Sequence, residues 1–119
     1  MGVLKSYTDL EQSKRLAEIL PIESADIHYL TYSMYEEYCD EIVYTANLGK
    51  PGMYDKCCIP CWSLAVLLSI VPNVSLNNFT DGTWNAMVER NGKMVWADKN
   101  NPLDACVELI IKLHDLNLL

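Results

Sequence analysis

The ten residues Met87-Val88-Glu89-Arg90-Asn91-Gly92-Lys93-Met94-Val95-Trp96 constrain the fold more than any other stretch of the chain. Asn and Gly both accept positive φ, so Asn-Gly between two strand-like runs predicts a β-hairpin with a two-residue turn. Such a turn fixes the register. Arg90 faces Lys93, Glu89 faces Met94, Val88 faces Val95, Met87 faces Trp96 and Ala86 faces Ala97. Directly opposed residues share a face of the sheet. One face then carries Trp84, Ala86, Val88, Val95 and Ala97, a set suited to a core. The other carries Met87, Met94 and Trp96 with Asn85 and Glu89. It is apolar at its centre although it looks away from the proposed core. Either a helix covers it or it is an exposed patch, and exposed Met and Trp are favoured at interfaces.

Helices flank this hairpin. Thr8-Asp9-Leu10-Glu11 reads as a capping box, followed by Leu10, Ser13, Leu16, Ala17 and Leu20 at helical spacing and closed by Pro21. Asn101-Pro102-Leu103-Asp104 opens the last helix, with Asn at N-cap, Pro at N1 and Asp against the dipole. Apolar residues fill most of its circumference, while Asp104, Glu108, Lys112 and Asp115 form a charged stripe and Glu108 and Lys112 make a favourable i,i+4 pair.

Between these ends, Ile27 to Tyr32 reads as a strand. Residues 34–46 fit two patterns: a helix with Tyr35, Cys39 and Ile42 on one face, or a strand over Ile42 to Ala46, which the β-branched and aromatic run favours. Asn47 to Lys56 contains Gly49, Pro51 and Gly52 and reads as a loop. Pro60 suits the first turn of a helix and Pro72 its end, so Cys57 to Pro72 reads as the approach to a centrally buried helix with only Ser63 and Ser69 polar. The order predicts an α+β fold: a small antiparallel sheet, including the hairpin turning at Asn91-Gly92, packed by about three helices. With 119 residues the chain is expected to form one domain, 1–119.

Three thiols before the apolar run are the one hint of chemistry. Cys58-Ile59-Pro60-Cys61 has the form of a thiol–disulfide motif, and a helix N-terminus would activate Cys58. A structural zinc site needs four ligands, and Cys58 and Cys61 supply one half with no second CxxC or His pair after it. The alternative is that these cysteines are small hydrophobes. No Ser elbow, HExxH or Gly-rich phosphate loop is present, so no catalytic residue, cofactor or metal is assigned. His28 and His114 read as satisfied or surface side chains.

Sixteen acidic residues against nine basic ones give a net charge of −7, and the basic residues are scattered. Direct binding to nucleic acid is therefore not expected. The acidic pairs Glu36-Glu37 and Asp40-Glu41 with nearby tyrosines allow one further reading, an inhibitor that mimics nucleic-acid phosphates. The longest apolar run is far short of a membrane span. Five cysteines, an odd number, and no visible signal segment point to the cytoplasm, where thiols stay free. The expected function is a non-enzymatic accessory domain that binds another protein or itself through Met87, Met94 and Trp96. A thiol redox or metal protein using Cys58 and Cys61 is the alternative from another class.

Ile59-Pro60-Cys61-Trp62-Ser63-Leu64-Ala65-Val66-Leu67-Leu68, the Trp-containing hairpin and Asp104-Ala105-Cys106-Val107-Glu108-Leu109-Ile110-Ile111-Lys112-Leu113 together resemble a set of small uncharacterised proteins encoded by phages and integrative elements of gut bacteria. Leu10 to Leu16 and Glu23 to Asp26 look like that set as well. The resemblance spans most of the chain and rests on packing patterns. It implies a cytoplasmic accessory protein and carries no catalytic residues with it.

Overall fold

A computed structural model describes residues 5–32, 38–44 and 56–119, with 29–32, 38–44 and 56–58 described by their backbone. In chain order the elements are α1 (Leu10–Ala17), a 3-10 turn (Ile22–Ser24), β1 (Ile27–Tyr32), β2 (Tyr38–Tyr44), β3 (Lys56–Cys61), α2 (Leu64–Ile70), β4 (Ser75–Asn78), β5 (Trp84–Arg90), β6 (Lys93–Lys99) and α3 (Pro102–Asp115). The fold is α+β, as the sequence predicts, with the strands divided between two antiparallel sheets ordered β2-β1-β3 and β4-β5-β6.

The second sheet follows from its turn. Asn91 and Gly92 both have positive φ, 52° and 79°. The pairing of β5 with β6 runs from Arg90 opposite Lys93 to Trp84 opposite Lys99, in the register that the turn dictates. The sequence of β4, Ser-Leu-Asn-Asn, has little strand preference. The strand is held by pairing with β5, Leu76 opposite Ala86 and Asn78 opposite Trp84.

α3 lies across the inner face of this sheet. Asn101 caps it, accepting from Asp104 N, and Pro102 begins it. Pro102, Leu103, Ala105, Cys106, Val107, Leu109, Ile110 and Leu113 are all buried. They pack with Ala86, Val88, Val95 and Ala97 from the sheet and with Leu16, Leu20, Trp62 and Leu67. α3, not the apolar helix after the cysteines, is the central helix.

The stretch from Cys57 to Pro72 differs from the helix expected there. Lys56 to Cys61 is strand β3, paired along its length with β1, Ile27 opposite Cys61 and His28 opposite Pro60. Proline is tolerated at an edge strand as well as at a helix N1, and β3 is an edge. The helix starts later, at Leu64, where Ser63 Oγ accepts from Val66 N at 3.3 Å. α2 is seven residues long, and among them only Leu67 is fully buried, with Ala65 and Ser69 exposed. Residues 38–44 form a strand, which replaces the helical alternative there. The start of that alternative and the loop expected before Lys56 lie outside the described residues.

The first cap is displaced by one residue. Asp9, not Thr8, caps α1, in a reciprocal box with Gln12. α1 also ends at Ala17, short of the Leu20 that the spacing suggested. Thr8 is buried instead. Its Oγ1 accepts from Trp62 N at 3.1 Å, and its own N–H donates to Trp62 O at 3.0 Å. Trp62 is fully buried, and its Nε1 donates to Ser24 Oγ at 2.9 Å. Asp26 Oδ1 accepts from Ser63 N at 2.9 Å. The approaches to α1, β1 and α2 are thus fastened to one another around Trp62.

Candidate interaction face

Side chains on the outer face of the second sheet come from alternate residues of its three strands. The rows across the face follow from the register. Asn77, Asn85 and Asp98 form one row, Ser75, Met87 and Trp96 the next, and Glu89 and Met94 the last. The polar row is tied together: Asn85 Nδ2 donates to Asp98 Oδ1 at 2.8 Å and Asn77 Nδ2 to Asn85 Oδ1 at 3.5 Å. Met87, Met94 and Trp96 thus lie on one face, between that row and Glu89. Met94 is 48% exposed and Trp96 52%, while Met87, on the central strand, is partly buried. An open hollow of about 400 Å³ lies between Ser75, Met87, Glu89 and Met94. α1 packs against α3 and β3 and leaves this face open.

One ammonium group reaches the free side of β6. Lys112, from α3, donates to the backbone oxygen of Trp96 at 2.8 Å. No salt bridge to Glu108 forms, so the i,i+4 pair that the sequence offered gives way to a contact across elements. Periodicity along the helix carries no sign of this contact, because its acceptor lies sixteen residues upstream in a strand.

The thiols sit differently from the motif's expectation. Three residues apart on a strand, positions 58 and 61 fall on opposite faces with Cα atoms about 10 Å apart. A disulfide needs Cα atoms within about 7 Å. The pair that a helix N-terminus would hold together is therefore separated by β3, and Cys61 is no partner for Cys58 in redox or metal chemistry. Cys61 is fully buried. Burial, with the nearby Asp26 charge, pushes its thiol up to about 12. Burial likewise pushes Cys106 up to about 11. Neither is a thiolate near neutral pH. Among the described residues, no group of three or more Cys, His, Asp or Glu is placed to hold a metal ion. His28 is buried in β1, and burial lowers its pKa.

A second polar cluster ties α1 to α3. Lys5 Nζ lies 2.9 Å from both Asp9 Oδ2 and Asp104 Oδ1. Gln12 Nε2 donates to Asp104 Oδ1 at 2.7 Å and Asn101 Nδ2 to Asp104 Oδ2 at 2.7 Å. Burial alone would raise the Asp104 carboxyl, but bonds from Gln12, Lys5 and Asn101 outweigh it and hold the group below the usual range. Every polar atom in this cluster serves a cap or a helix contact, so its role is to join elements. Of the acidic pairs, Glu36-Glu37 lies outside the described residues and Asp40-Glu41 belongs to β2.

Among the described residues, no helix is long and apolar enough to cross a membrane. No protein-family model matches the chain, and no curated protein or solved structure is significantly similar to it.

Proposed function

We propose that this chain is a non-enzymatic binding domain that engages another protein through the outer face of its second sheet. The observation that carries the reading is the exposure of Met94 and Trp96 side by side on a face that no helix covers among the described residues. At about 25 cal/mol per Å², the surface these two leave in water corresponds to roughly 5 kcal/mol of unused burial. A folded chain gains nothing from that exposure, whereas a partner does. The rim of Glu89, Asp98, Asn77 and Asn85 gives the patch the apolar centre and polar border common at interfaces. We take its setting to be the cytoplasm, where thiols such as Cys61 and Cys106 stay reduced. We take its kin to be accessory proteins of phages and integrative elements.

Trp96→Glu tests the reading. The side chain is half-exposed, so the variant should keep the far-UV spectrum and melting temperature of the parent. Affinity purification of both proteins from the native host, compared by quantitative mass spectrometry, should show at least one partner lost with the variant. A partner set unchanged by Trp96→Glu and by Met87→Glu rules this face out.

A further inference from the structure

Among the described residues, the second sheet has an unpaired edge as well as an open face, and the edge has its own chemistry. Because Asn91 and Gly92 form a two-residue turn with both φ positive, the flanking pair Arg90–Lys93 is hydrogen-bonded. Bonded and non-bonded pairs then alternate. In β6 the backbone groups of Lys93, Val95, Ala97 and Lys99 point to β5, and those of Met94, Trp96 and Asp98 point outward. The bond from Lys112 Nζ to Trp96 O has the phase this alternation requires. The outward N–H groups of Met94, Trp96 and Asp98 have no partner among the described residues.

Unpaired edges of this kind accept an added strand. The charges around β6 say which strand fits. Lys93 and Lys99 stand at its two ends, on the face toward α3, and Lys112 reaches over its middle from that same side. All three are exposed. They are three of only nine basic residues in a chain of net charge −7. On the outer side the same edge presents Met94 and Trp96. A second copy of β6 in the register centred on Trp96 would set Lys93 against Lys99, which opposes self-pairing.

We infer that the β6 edge is a strand-addition site for an extended peptide segment alternating acidic and apolar residues, supplied by a partner protein. Its N–H groups meet the outward carbonyls of β6, and its carbonyls take the N–H groups of Met94, Trp96 and Asp98. At Trp96 the incoming N–H replaces Lys112 Nζ, and the released ammonium pairs with an incoming carboxylate. Acidic side chains lie along Lys93, Lys112 and Lys99. Apolar ones continue the outer face beside Met94 and Trp96. The inference rests on the binding-domain reading and names the chemistry of its partner.

The test is an amide NMR titration of the full chain with a blocked peptide of about seven residues alternating glutamate and valine, the length of β6. The Met94, Trp96 and Asp98 amides should shift and exchange more slowly. N-methylation of the peptide groups that face β6 should weaken binding at least about tenfold, without touching the protein. Lys112→Glu should weaken the acidic peptide by roughly tenfold and admit one alternating lysine and valine. No shift at those three amides overturns the inference, as does equal binding of the N-methylated peptide or indifference to Lys112→Glu. Slowed β6 amides in concentrated protein without peptide would make the occupant a second copy and overturn it too. Met87→Glu changes the outer face from the central strand and leaves the edge intact. If the edge inference fails while Met87→Glu still loses the native partner, the face reading stands alone.

Discussion

Trp62 offers the sharpest test of how the core is assembled, because one buried side chain combines packing with a single polar bond. Trp62→Phe deletes about 40 Å³ from a site with no access to solvent. At roughly 24 cal/mol per Å³ the cavity costs about 1 kcal/mol, and the lost apolar transfer costs about as much again. Loss of the bond from Nε1 to Ser24 Oγ adds about 1 kcal/mol, for a total near 3 kcal/mol. Ser24→Ala keeps the indole and strands its N–H, at about 2 kcal/mol. In the double variant no N–H is left to strand, so its cost should stay near that of Trp62→Phe alone. The shortfall from additivity is then on the order of 2 kcal/mol. Urea unfolding followed by far-UV circular dichroism gives all four corners of the cycle. Trp62→Phe should also lower the melting temperature by about 10 °C. If Ser24→Ala costs less than about 0.5 kcal/mol, or if the two changes simply add, Ser24 is not the partner that makes burial of this indole tolerable.

Three further outcomes follow from the geometry. Native protein at pH 8 treated with iodoacetamide should remain unmodified at Cys61 and Cys106, read by peptide mass mapping, and both should label once urea is added. The Asp104 carboxyl is held below its unfolded value, so its stabilisation is present above the unfolded pKa and is lost as pH falls through the folded one. Lys5 is raised: burial opposes this, and the bonds to Asp104 and Asp9 outweigh it, so its contribution is lost as pH rises past the ordinary lysine range. Asp104→Asn should therefore flatten the acid limb of a stability–pH curve measured by urea midpoints. Gly92→Ala should cost about 1 kcal/mol from backbone strain alone, since φ is 79° and an added Cβ meets nothing within 4 Å. Asn91→Gly should be close to neutral, and both can be read from thermal melts.

The parts of the fold legible in the sequence are those decided by neighbours in the chain. Asn91-Gly92 sets the β5–β6 register through two φ angles, and Asn101-Pro102 starts α3 through a cap and a missing N–H. The stretch around Pro60 is illegible for a matching reason. Proline suits a helix N1 and is tolerated in an edge strand, and what decides is β1, paired from Ile27 to Tyr32 and distant in sequence. The length of α2 hides in the same way, because an apolar run of that size does not say whether it is a central helix or a short helix with two exposed positions. Among the site residues, Met87, Met94 and Trp96 could be placed on one face by alternation alone. Whether a helix covered them could not, since that depends on how α1 packs. The spacing places Lys112 in a charged stripe and beside Glu108, and its contact at the β6 edge is invisible there because the acceptor belongs to another element.

The fastening around Trp62 has a consequence for the path of the chain. Asp26 touches Ser63, and Ile27 pairs with Cys61, so the whole first sheet lies on an excursion that leaves and returns at one point. The cost of closing such an excursion grows only with the logarithm of its length, about 0.6 kcal/mol per doubling. Insertions are tolerated best where such an excursion is exposed, away from its buried base. Ile27, His28 and Cys61 at the base of the first sheet are buried, so a change of length beyond that base is the one that leaves the packing of α3 and the sheet beneath it in place.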